Sequence, residues 1–148
     1  MQFIDLAAQR ARIGDRIDLA VSKVIREGKY ILGPEVAEFE RKLADYVGVK
    51  HVVACANGTD ALLIPLFAFG VGRGDAVFCP SFTFAATAEV VALAGAEPVF
   101  IDIDPDTYNI DIAQLKAAIK AIRAEGRLTP KAIIPVDLFG LAADYSAL

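Results

Sequence analysis

Apolar and polar positions follow two rhythms along this chain, one with a helical period and one in short runs typical of buried strands. Over residues 9–27, Ile13, Ile17, Val21, Val24 and Ile25 recur at helical spacing and stop at Gly28, which predicts one amphipathic helix. A loop holding Tyr30, Ile31 and Leu32 leads to Gly33 and Pro34. Pro34 suits the first turn of a second helix, where its missing N–H would have no partner anyway. Val36, Phe39, Leu43 and Val47 mark that helix's buried face, and Gly48 is its stop. Beyond it, strand-like runs at about 51–56, 76–79, 98–102 and 132–136 alternate with helix-like runs at about 59–69, 84–94 and 112–125.

Strands that alternate with helices build βαβ units around a parallel sheet, so the fold class is α/β, a mostly parallel sheet flanked by helices. Residues 1–48 form a helical N-terminal segment and 49–148 the βαβ units, with no repeat, low-complexity stretch or linker between them. From Asp144 the sequence reads as the start of a helix rather than the close of a domain. With 55% hydrophobic residues and a mean hydropathy of +0.46, the chain is expected to be a fragment whose surface further chain covers.

Charge and composition narrow the function. No apolar run reaches the length of about 18 residues that suggests a membrane span, and the N-terminus mixes both charge signs within its first turns, unlike a signal peptide. A cytoplasmic protein is expected. The net charge of −4, with Lys and Arg dispersed, argues against a nucleic-acid surface and leaves small-molecule chemistry. Cys55 and Cys79 each sit near the end of an apolar run and read as small buried hydrophobes. Two Cys and the single His51 are too few for a metal site, and one histidine assembles no Ser-His-Asp set.

Ligands of parallel α/β sheets bind at the C-terminal ends of the strands, where the next helices point their N-termini. The junction "CANGTDALL", Cys55–Leu63, is such a place. Asn57 can cap the helix, Gly58 allows close approach, and the first amides with the Thr59 hydroxyl form an anion site suited to phosphate. The bland alternative is a capped helix start, Asn57 with Asp60, and no ligand. Asp60 would also repel an anion unless it points aside. After Pro80, "SFTF" sets Phe82 and Phe84 between two hydroxyls; one ring could stack on a flat cofactor, or both could be core with Thr83 as a cap. "FIDIDPDTYNID" has Thr107 where a calcium loop needs Gly, so it reads as an Asp104–Pro105 turn and an Asp111–Gln114 cap. "GVGRGD", Gly70–Asp75, precedes its strand and is a helix stop and turn, not a dinucleotide fingerprint.

Taken together, "FIDL", "GKYILGPEVAEFE", "ANGTDAL", "PSFTFAATAEVV", "GAEPVFIDID", "TYNID" and "KAIIPVDLFG" resemble the DegT-type family of pyridoxal-phosphate-dependent nucleotide-sugar aminotransferases, in order and approximate spacing over essentially the whole chain. The resemblance implies the N-terminal portion of the large cofactor-binding domain of a type I aminotransferase fold. It places Gly58, Thr59 and Asp60 around the phosphate of pyridoxal 5'-phosphate and Phe84 on its ring. Tyr30 and Phe139 become candidate substrate-side walls. The implied reaction moves an amino group, typically from glutamate as the amino-acid donor, to a nucleotide-linked keto-sugar, in a homodimer. The Schiff-base lysine is expected beyond Leu148, so this chain contributes no catalytic residue and is expected to be inactive alone. A sugar dehydratase of the same family, or a non-catalytic module that binds a phosphorylated ligand, are the alternatives.

Overall fold

The computed structural model describes residues 4–148, so Phe3 of "FIDL" lies outside the described residues. Two compact units meet in sequence between Ala54 and Cys55.

The first unit is helical. Its expected single helix over 9–27 is two, α1 (Leu6–Ile13) and α2 (Asp15–Glu27). Gly14 separates them at φ 63°, ψ −150°, a conformation open to glycine and strained for other residues. Asp15 and Asp18 then fall in a new first turn, where the helix dipole favours negative charge. Helix α3 (Pro34–Val47) begins at its proline and ends at Gly48, as the sequence predicts. Val36 and Leu43 are half-buried, but Phe39 and Val47 are exposed. The strand expected at 51–56 is absent: no β-ladder is made there, and the Ala54 amide donates to Glu40 Oε1 at 2.8 Å. An apolar run makes a strand only where a neighbouring strand pairs with its amides and carbonyls.

The second unit opens with α4 (Gly58–Ala68), then β1 (Asp75–Pro80), α5 (Ala86–Leu93), β2 (Glu97–Ile101), α6 (Ile112–Glu125) and β3 (Thr129–Ile133). The three strands form one parallel sheet in the order β2-β1-β3. Central β1 is buried almost throughout, which is why "AVFC" reads as a continuous apolar run instead of alternating. Val77 faces a core layer with Leu66, Val71, Val90 and Val91 from the α4–α5 side. On the other face Ala76 and Phe78 pack with Ile101, Ile110 and Leu115, the last from α6. Two apolar layers on a parallel sheet confirm the α/β class.

β3 starts three residues earlier than the apolar run at 132–136 suggests. An irregularity opposite Ala76–Val77 absorbs Lys131, with Pro130 paired beside Ala76. The ladder's last amide is Ile134, donating to Phe78 O at 2.8 Å, because Pro135 has no N–H to continue it. The turn at Gly70–Asp75 is as read, with Gly70 at φ 66° and Gly74 at φ 88°. Cys79 is fully buried and burial pushes its thiol up to about 11, whereas Cys55 is exposed, contrary to its reading as a buried hydrophobe. No helix among the described residues is long and apolar enough to cross a membrane.

Candidate functional site

Helix α4 leads into β1 through the Gly70–Asp75 turn and packs against α5, the helix that follows β1. Gly58, Thr59 and Asp60 open α4, while Phe84 and Phe139 stand in the loops after β1 and β3.

At the start of α4, Asn57 Oδ1 accepts the Asp60 amide at 2.9 Å, while Asn57 Nδ2 donates to Asp60 Oδ2 at 3.1 Å. This reciprocal cap uses the third amide internally, so the donors available for an anion narrow to Gly58 and Thr59 with the Thr59 hydroxyl. It also engages the Asp60 carboxylate through one of its oxygens. Gly58 has ordinary helical backbone, and a Cβ there would meet nothing within 4 Å. Space in front of free helix amides, with the dipole behind them, suits a phosphate monoester. The residues present therefore fit the phosphate of pyridoxal phosphate.

Neither ring of "SFTF" is core. Phe84 is 78% exposed and Phe82 48%. Thr83 caps nothing; its hydroxyl pairs with the buried Thr87 hydroxyl at 3.0 Å, and the Thr87 amide donates to Phe84 O at 3.0 Å. These bonds tie the loop to the first turn of α5 and leave the Phe84 ring free at the strand end.

The structure adds a cluster that the sequence reading missed. Phe82, Tyr108 and Phe139, each from the loop after a different strand, meet with ring centroids 5.7 Å, 6.5 Å and 5.8 Å apart. Sheet order explains the meeting, since β2 and β3 flank β1. Tyr108 and Phe139 both adopt left-handed backbone, φ 61° and 56°, which costs a residue with a Cβ about 1–2 kcal/mol. The signal available was at least one aromatic in the loop after each strand.

The loop carrying Phe139 is held from inside. Asp137 Oδ1 accepts the Ala143 amide at 2.9 Å and the Tyr145 hydroxyl at 3.0 Å, and Asn109 Nδ2 donates to Ala142 O at 3.1 Å. That bond to Asp137 raises the Tyr145 phenol above its ordinary range. Beside this loop, a cavity of about 460 Å³ is lined by Asp104, Asn109, Asp111 and Asp144. It is no phosphate site, because its lining is acidic. Asp104 accepts the Thr107 amide and hydroxyl and Asp111 the Gln114 amide, which hold both carboxyls below the usual range. The expected turn and cap are thus both formed.

Tyr30 belongs to the first unit. Its hydroxyl donates to Ile25 O at 3.3 Å and its ring is exposed, beside Leu32 at φ 48°. His51 is exposed and outside any strand.

Residues 11–148 match the family model described as the DegT/DnrJ/EryC1/StrS aminotransferase family. The chain is 56% identical to the UDP-2-acetamido-2-deoxy-3-oxo-D-glucuronate aminotransferase of Pseudomonas aeruginosa, matching over its own full length and 39% of that protein. It is 45% identical to the UDP-N-acetyl-3-dehydro-alpha-D-glucosamine 3-aminotransferase of Acidithiobacillus ferrooxidans, over 98% of this chain and 37% of that one. A crystal structure of a DegT/DnrJ/EryC1/StrS aminotransferase from Brucella abortus superposes with a TM-score of 0.97 at 71% identity, covering 99% of this chain and 39% of that one. The chain thus spans about 39% of the length of such relatives.

Proposed function

This chain belongs to the DegT/DnrJ/EryC1/StrS aminotransferase family, and from that premise we propose that the complete protein moves an amino group from glutamate to the 3-keto carbon of a UDP-linked 2-acetamido sugar. The two curated relatives named above share those features of their names: a UDP link, an acetamido or N-acetyl group and a 3-keto carbon. What supports the reading is an open, capped helix start at Gly58–Thr59 in the same unit as an exposed ring, Phe84, in the loop after β1.

In this reading Gly58 and Thr59 hold the cofactor phosphate through their amides and the Thr59 hydroxyl. Asp60 contributes through the cap that shapes the helix start, instead of through its own amide. Phe84 lies against the pyridine ring and fixes its plane. Pyridoxal phosphate, when bound, would supply an electron sink for the donor carbon that gives up its proton and, in the return half of the reaction, for the sugar carbon that gains one. Tyr30 and Phe139 are walls on the substrate side. None of the lysines in the second unit stands at the strand-end loops, since Lys116 and Lys120 lie on α6 and Lys131 in β3. In this reading the amine that moves the proton is, as the family resemblance implies, a lysine of the complete protein outside this segment. The enzyme works in the cytoplasm as a homodimer.

The test is turnover of the complete protein with glutamate and a UDP-linked 2-acetamido-3-keto sugar. One 2-oxoglutarate per aminated sugar is expected. Loss of water from the sugar without consumption of glutamate would establish the dehydratase instead.

A further inference from the structure

We propose that the Phe82–Tyr108–Phe139 cluster seats the nucleobase of the nucleotide-linked substrate, an inference that rests on the reading above and extends it to three named residues. Phe82, Tyr108 and Phe139 lean on one another with ring centroids 5.7 Å, 6.5 Å and 5.8 Å apart and are not enclosed by the residues of this chain. They stand at the C-terminal ends of three adjacent parallel strands, the edge where α/β sheets take ligands. Their planes are inclined at 41°, 60° and 84°, so no pair is stacked face to face and ring faces are left for a guest.

The backbone is arranged to present them. Two of the three residues hold left-handed backbone, and separate bonds lock each loop: Tyr108 N to Asp104 O at 2.8 Å on one side, the Asp137 and Asn109 contacts on the other. Strain kept in place by surrounding bonds is a mark of functional loops. The chemistry of the surface selects the guest. All three side chains are uncharged, which suits neither the diphosphate nor a carboxylate. The shelf combines ring faces with one polar group, the Tyr108 hydroxyl. A flat, uncharged ring with carbonyl and N–H groups on its rim matches it, and in this substrate that ring is the base. Asp137 and Asn109 are positioning residues, acting through the Phe139 loop.

The experiment titrates the cofactor-loaded complete protein with UDP and, as a base-free control, with pyrophosphate. Replacing Phe139→Ala is expected to weaken UDP by about 5- to 150-fold, the loss of one base stack, and to leave pyrophosphate within about twofold. Phe139→Leu, which keeps apolar bulk without a flat face, is expected to behave like the alanine variant, and Phe139→Tyr to restore binding. In turnover, KM for the sugar nucleotide rises while kcat changes little. Unchanged UDP affinity, equal loss of UDP and pyrophosphate, or full binding by Phe139→Leu each overturns the proposal while the aminotransferase reading stands. A wild-type protein that aminates no nucleotide-linked sugar and does not bind UDP overturns both.

Discussion

Gly58→Ala separates ligand geometry from folding, because the two predict opposite signs. In a helix each Cα–Cβ bond tilts toward the N-terminus, so a methyl on the first residue of α4 enters the space ahead of the Gly58 and Thr59 amides. Nothing in the protein lies within 4 Å of it, and the backbone there is one that alanine adopts freely. Folding therefore incurs no clash, and alanine reduces unfolded-state freedom, a gain of about 0.4–1 kcal/mol. For a phosphate seated on those amides, the methyl displaces at least one charge-assisted hydrogen bond, worth about 1.5–3 kcal/mol. That is a loss of about 10- to 150-fold in affinity. The assay is titration of the apo form of the complete protein with pyridoxal phosphate, followed by absorbance, with thermal unfolding of the apo form alongside. A variant that unfolds no earlier than wild type but binds at least tenfold more weakly supports the cradle. Wild-type affinity in the folded variant would refute it, since no anion could then approach Gly58 within the reach of one methyl.

Further expectations follow from the same geometry. Gly33→Ala should destabilise the first unit by about 1–3 kcal/mol in denaturant titration, because its Cβ would collide with the Lys29 carbonyl oxygen; an unchanged midpoint contradicts that packing. Asn57→Ala removes both arms of the cap and should cost about 1 kcal/mol, read as a lower unfolding midpoint of the apo protein. Phe84→Ala should weaken retention of pyridoxal phosphate on dialysis with little change in apo stability, as the ring is mostly solvent-exposed; equal retention removes the stacking role. Cys79, its thiol raised from 9.0 to about 11 by burial, should resist iodoacetamide at pH 8 until the protein is denatured, as peptide mapping would show. Because the folded state favours the neutral thiol, this stabilising term is full below pH 9 and fades between pH 9 and 11.

Helix α6 was legible to the residue: Asp111 and Gln114 open it, Gly126 closes it, and both signals are local side-chain chemistry. β3 was displaced because its start, Thr129–Pro130, looks unlike a strand, and an irregular edge tolerates a proline that a central strand would not. The segment 51–56 has a strand's pattern without a strand's partner, and partners are a property of tertiary structure. The same holds at the site. Asn57, Gly58 and Thr59 announce a helix start in three consecutive letters, and the Asn57–Asp60 spacing already offers a cap; the reciprocal bonds show that the cap forms and takes up the Asp60 amide. The aromatic shelf was least legible, since Phe82, Tyr108 and Phe139 are far apart in sequence and nothing in the residue types of Tyr and Phe foretells φ near 60°.

The Asn57–Asp60 cap also bears on how the cofactor arrives. A helix start that satisfies one of its own orphan amides is ordered before any phosphate reaches it, so its conformational entropy is settled during folding and not at the moment of binding. Loading then resembles docking onto a rigid seat. On the proposed reading, the apo and loaded forms are expected to share the same α4, and exchange of cofactor is expected to require no melting of that turn.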